Sequence, residues 1–139
     1  MRIQPILERL AGLDYVTLQG AFEFAELKTI PARLPALFVV PQRASASPSI
    51  FASGIIDQQL SEAFAVIIVF DRGRVMPGQI SEAIEARKIA LLDCLATWKH
   101  PNAESYTRFT GWQLLSHDGN CFTYAFNFEI TSHYRKVIS

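Results

Sequence analysis

Three histidines, two cysteines and a small set of carboxylates are the residues of this chain suited to catalysis or metal binding. His100, His117 and His133 are scattered, with no H-x-x-x-H pair and no C-x-x-C. Cys121 and His133 share a stretch that alternates like a strand, but twelve residues of separation is too far for one metal ion. The expectation is two core or surface thiols and three surface histidines. A dyad of Cys121 with His117 needs a third orienting group and an oxyanion pocket. The turn chemistry of Asp118-Gly119-Asn120 separates the two, and hairpin tips are wet. An acid–base pair is available on paper from Asp57, Glu62, Glu82 and Glu129. Glu62 and Glu129 fall on expected sheet faces, where solvation or a cross-strand ion pair is the simpler role. No G-x-x-x-x-G-K-[ST], no G-x-G-x-x-G and no G-x-S-x-G occurs. The residues thus imply no enzyme, no cofactor and no metal.

Arg72 and Arg74 flank Gly73 at the end of an apolar run. They read as charges at a wet hairpin end, or as a contact to an acidic partner surface. No basic stripe interleaves with aromatics in the way that stacking platforms for nucleic acid require. The net charge is 0, from 13 basic and 13 acidic residues, which argues against a binder of nucleic acid driven by bulk electrostatics and leaves open a local patch. Half of the 139 residues are apolar and 12 % aromatic, enough for one core without disulfides. Charged residues make up 19 %, below the roughly 25 % of ordinary soluble domains. Such a chain is tightly packed or hides surface against partners. The longest apolar run, Ala63 to Phe70, is eight residues, against the ~20 of a spanning helix. The N-terminus lacks the apolar run of a signal peptide. The expectation is an intracellular soluble protein, without a membrane partner and with reduced thiols.

The elements that must position these residues follow from periodicity. Ile3, Ile6, Leu7, Leu10 and Leu13 predict a helix with Pro5 in its first turn and Gly12 as cap. Asp14 to Leu18 reads as a short edge strand, and Phe22 to Lys28 as a short helix or turn. Pro35 to Pro41 predicts a buried strand bracketed by prolines. Gln42 to Gly54, rich in serine and alanine, predicts a long mobile loop that includes Ser47 and Ser49. Gln58 to Phe70 alternates at first, then turns apolar on both faces, so its second half is expected to be covered on both sides. Gln79 to Lys99 predicts the main helix, stopped by Pro101, with Ile80, Ile84, Leu91, Leu95 and Trp98 on one stripe.

Two residues break that helix pattern. Arg87 lies within the apolar stripe, where it either snorkels or forms a buried pair with Glu62 or Glu129. Ile89 lies on the charged face with Glu82, Glu85 and Asp93. The chain closes with a hairpin: Tyr106 to His117, with Gly111 as a bulge, and Cys121 to Tyr134. In the second strand Phe122, Tyr124, Phe126, Phe128 and Ile130 point one way. The whole reads as one α+β domain over residues 1–139, with a four- to five-stranded, mostly antiparallel sheet and two main helices on one face.

The order of these segments resembles the small tail terminator family of long-tailed phages and prophages. Leu91 to Pro101 is similar to the family's helix end, A-L-x-G-W-x-P, although Thr97 stands for the glycine and His100 precedes Pro101. Tyr106 to Leu115 resembles its y-x-G-g-x-L strand, Asp118-Gly119 its hairpin turn, and Phe122 to Arg135 its closing aromatic strand. Pro35 to Pro41 resembles t-P-a-a-f-V-l-P, so the likeness runs from about Pro31 to Arg135. The resemblance implies a structural virion protein that caps the tail tube as a ring, usually of six copies. It would stop tube polymerisation and join the tail to the head connector. The implied partners are further copies of itself, the tail tube protein and the head–tail connector protein. The implied location is the virion tail, with assembly in the host cytoplasm and prophage encoding in a bacterial source. Candidate interface residues are Arg72, Arg74, Ile89, Ser47 and Ser49. The rival readings are a small α+β enzyme or ligand-binding module with an unrecognised pocket, and a host regulatory domain that shares the topology.

Overall fold

Two strands of seventeen residues form the spine of the protein. They are β4 (Ile55–Asp71) and β6 (Cys121–Val137), in the numbering of all strands along the chain. They pair antiparallel without a register break, from Ile55 opposite Val137 to Asp71 opposite Cys121. The computed structural model describes residues 1–15, 17–20, 34–48, 50–52, 54–71, 80–117 and 121–137. The expected helix or turn at 22–28 lies outside them.

Strict alternation puts Phe122, Tyr124, Phe126, Phe128 and Ile130 on one buried face, as their spacing predicts. Phe64, Val66, Ile68 and Phe70 of β4 share that face. Phe64 stacks on Phe128 at 5.6 Å, and Phe70 on Tyr124 at 6.0 Å. Such aromatic pairs add about 0.5–1.5 kcal/mol each beyond their area burial. The two described helices, α1 (Gln4–Leu10) and α2 (Ile80–Leu95), close the same core with Ile6, Leu10, Ile84, Leu91 and Leu95.

The sheet adds β1 (Thr17–Gly20), β2 (Ala36–Ala46), β3 (Ile50–Ala52) and β5 (Arg108–His117). Its order is β1-β2-β4-β6-β5, and β3 pairs with β4 off this path. Only β1 and β2 run parallel, so the sheet is mixed but mostly antiparallel and the class is α+β. The second face of β4 is also buried from Ala65 to Val69, in a cluster with Phe38, Cys121 and Ala125. The loss of polar alternation midway along this strand therefore reported correctly on its burial.

The serine-alanine stretch at 42–54 corrects the sequence reading. It is mostly strand: residues 42–46 continue β2, and β3 takes up the same edge of β4 after a break. Ser47 ties the break down. Its N–H donates to the Gln59 carbonyl at 2.9 Å, its Oγ accepts the Gln59 N–H at 3.1 Å, and its carbonyl accepts Gln58 Nε2 at 2.8 Å. Composition pointed to a loop because small polar residues have little strand propensity. The unbroken length of β4 supplies the hydrogen bonds that override it. Pro41 likewise sits inside β2, beside a register shift between Pro41 and Arg43 where its missing N–H costs least.

The helix ends differ too. The cap of α1 is Ala11, and Gly12 takes no left-handed φ. Helix α2 stops at Leu95, four residues before the expected Lys99. Thr97 Oγ1 donates to the Asp93 carbonyl at 2.6 Å, and the Trp98 N–H donates to Leu95 at 3.1 Å. These bonds occupy carbonyls that the end of a helix leaves open. Gly111 has φ +152°, and the β5–β6 register shifts between Phe109 and Gly111, so the expected bulge is present.

Candidate interaction surfaces

The residues considered for chemistry are spread apart. On β6 Cys121 lies opposite Asp71 and His133 opposite Gln59, about 40 Å of strand away. Cys121 is buried. Cys94 donates its thiol to the Arg9 carbonyl at 3.3 Å, while Arg9 Nε donates to the Cys94 carbonyl at 2.9 Å. This reciprocal pair fastens α1 to α2. Burial pushes the Cys94 thiol up, partly offset by Arg9, which keeps it protonated and a poor nucleophile. Glu62 and Glu129 occupy opposite sheet faces, because Glu129 is opposite Ala63. Glu62 binds the Met1 ammonium at 2.8 Å. Glu129 accepts Arg108 at 2.6 Å and the Ser61 hydroxyl at 2.5 Å, the cross-strand role expected of it. Among the described residues no group of three or more His, Cys, Asp or Glu side chains converges to hold a metal ion.

His100 overturns the expectation of a surface histidine. It is fully buried, with Nε2 2.7 Å from the Arg2 carbonyl and Nδ1 accepting the Asn102 N–H at 3.0 Å. An accepting Nδ1 places the proton on Nε2, which donates to Arg2. Trp98 meets the imidazole edge-on at 5.5 Å. The histidine before Pro101 thus locks the N-terminal segment to the turn after α2. His133 is exposed but engaged, between Asp57 at 2.9 Å and Glu104 at 3.1 Å. The side chain of His117 lies outside the described residues.

Among the described residues Arg87 has no carboxylate partner, and Glu62 and Glu129 bind the Met1 ammonium and Arg108 instead of it. The Arg87 guanidinium lies 5.1 Å from the Phe70 ring centroid and 5.4 Å from that of Tyr15. It snorkels from the apolar stripe across two aromatic faces.

Among the described residues apolar side chains are exposed at several places. On α2, Ser81, Glu82, Glu85, Ala86 and Ile89 line a shallow open depression, and Ile89 is 48 % exposed. On edge strand β5, Trp112, Leu114 and Leu115 are exposed, although Trp112 still touches Tyr124 at 5.7 Å. The sequence reading missed this patch. Adjacent Leu114 and Leu115 were its signal, since neighbours on a strand cannot both face the core. At the far end of the sheet Tyr134 and Val137 are exposed. Of the candidate interface residues, Ile89 is on the surface and Ser47 is half-buried in its backbone role. Arg72, Arg74 and Ser49 lie outside the described residues.

A mixed α+β sheet with scattered polar residues and apolar side chains left exposed on a helix and an edge strand has the build of a subunit that contacts other proteins. The phage tail terminator protein family model matches residues 1–139, and the chain belongs to that family. It is a structural protein of the phage tail. No curated protein sequence matches the chain.

Proposed function

We propose that this chain closes the end of the phage tail tube as a ring of six copies, stops tube polymerisation and presents the surface that the head–tail connector protein meets. It acts as one domain over residues 1–139, assembles in the host cytoplasm before it joins the virion, and derives from a prophage where the source is bacterial. The observation that carries this reading is the family match along the whole chain. The exposed Ile89 among carboxylates on α2 supports it, because an isolated domain gains little from an isoleucine there. A head-to-tail ring uses two different faces of each subunit, so mutating either face prevents closure. Light scattering tests the reading with and without the tail tube protein of the same phage. The expected free ring has six times the 15.6 kDa subunit mass, and with tube protein electron microscopy shows it as a cap on tubes of defined length. Wild-type protein that forms no ring at high concentration with tube protein present rules the reading out.

A further inference from the structure

The two described helices cover only part of the sheet. Strand β4, at seventeen residues, is about 56 Å long, whereas α2, at sixteen, is about 24 Å. The core under the helices takes in β4 from Phe64 to Phe70. Met1 reaches as far as Glu62, and the turn after α2 reaches Thr131, whose carbonyl accepts the Glu104 N–H at 2.8 Å. Ser132, opposite Leu60, is still buried, and Glu104 reaches His133 at 3.1 Å; beyond these contacts the ladder continues as an arm, Ile55–Gln58 against Tyr134–Val137, with β3 alongside. On the helix side alternation places Ile56, Tyr134 and Lys136 together. Tyr134 is 47 % exposed, and Lys136 has no carboxylate within salt-bridge distance among the described residues.

The outer face of α2 is its complement. Ile89 sits between the small residues Ala86 and Ala90, with Glu82 and Asp93 to either side. Among the described residues neither carboxylate has a cation partner, whereas Glu85 is bound by Lys88 at 2.8 Å. These two surfaces do not meet within one chain. Arg87 fixes the middle of α2 over Phe70, and fifteen residues of β4, about 50 Å, separate Phe70 from the arm tip at Ile55.

We infer that the uncovered face of the arm of one copy receives the outer face of α2 of the next copy. The contact is heterologous: Ile89 packs against Ile56 and Tyr134, and Lys136 meets one of the two carboxylates that flank Ile89 about 16 Å apart, Glu82 or Asp93. The arm, four residues of β4 or about 13 Å, takes about half of the 24 Å length of α2. The neighbour's helix therefore continues the helix layer over a part of the sheet that the described helices leave open. This inference rests on the ring reading above and names the two faces that close the ring.

Charge reversal with rescue tests it. Lys136→Glu alters the arm, and Glu82→Lys with Asp93→Lys alters the helix face; urea midpoints within error of wild type establish that each variant folds. Each reversed face alone weakens self-association about tenfold or more, because like charges then oppose across the contact. A chain with both faces reversed recovers rings in the presence of tube protein. As a second measurement, Ile89→Cys copies mixed with Tyr134→Cys copies give a mixed disulfide above the background of wild-type protein. If wild type forms rings, while the single-face variants associate as wild type does or the mixed disulfide is absent, the arm-to-helix contact is wrong and the ring reading stands. If both reversed faces together stay as weak as one alone, the charge pairing is wrong. If wild type forms no ring with tube protein, both readings fall.

Discussion

The guanidinium of Arg87 and the ring of Phe70 lie 5.1 Å apart, joining the middle of α2 to the last buried aromatic of β4. The contact explains how a cation sits within an apolar stripe with no carboxylate partner among the described residues. Its stem packs among apolar side chains, and its head rests on two ring faces. Replacing Arg87 by Met keeps the stem and removes the charge. The expected loss is about 0.5–2 kcal/mol, the range of a cation–π contact, against the about 3–5 kcal/mol of a broken buried ion pair. Urea unfolding of the two proteins measures the difference, and a loss in the higher range contradicts the aromatic cradle.

His100→Ala should be among the most damaging single changes. It strands the Arg2 carbonyl and the Asn102 N–H, and it opens a cavity beside Trp98. The expected cost is about 2–4 kcal/mol. The measurement is the urea midpoint, with hydrogen exchange in residues 1–10 as the local readout. Exchange unchanged in that segment contradicts the role of His100 as its anchor.

Alkaline pH should weaken the fold. Burial raises the Tyr15 phenol, partly offset by the Arg87 charge and hydrogen bond, and burial also raises Tyr124. A raised folded value means that the native state holds these protons longer than the unfolded chain does. Their contribution is complete below the ordinary tyrosine value near 10 and is lost as pH rises through the higher folded value. Unfolding midpoints measured from about pH 8 to 11 should fall at the alkaline end. Tyr15→Phe should flatten that decline; an equally steep decline in the variant removes Tyr15 as a source.

Ile89→Asp separates folding from assembly. The residue is exposed, so the urea midpoint should stay within about 0.5 kcal/mol of wild type. Capping of tail tubes should nonetheless be lost, since the proposed contact would then bury a carboxylate against Ile56 and Tyr134. Tails of normal length carrying a terminal ring in this variant place Ile89 outside the interface.

The strands with a local period were legible in the sequence. Phe122 to Ile130 announced their buried face, and Gly111 announced its bulge, because both signals depend on near neighbours along the chain. The strand identity of residues 42–46 and 50–52 was not legible. Their strand character comes from Gln59 and the rest of β4, which the local composition of serine and alanine does not report. Burial of His100 was hidden for the same reason: its two partners are Arg2, nearly a hundred residues away, and a turn whose geometry depends on where α2 ends. Of the interaction surfaces, Ile89 stood out as a misfit on its own helix. The arm became visible only once the pairing of β4 with β6 fixed where the helices stop.

The register of β5 bears on how the free subunit stays dispersed before assembly. An edge strand bearing Trp112 and Leu114 is a template on which other chains can add. Two register shifts, at Phe109/Gly111 and Leu114/Ser116, leave regular spacing only from Gly111 to Leu114. A stray strand finds at most four residues of matching hydrogen-bond rhythm there. The subunit can therefore keep an apolar edge in water without growing into fibrils, and straightening either bulge would trade that solubility for amyloid-like stacking.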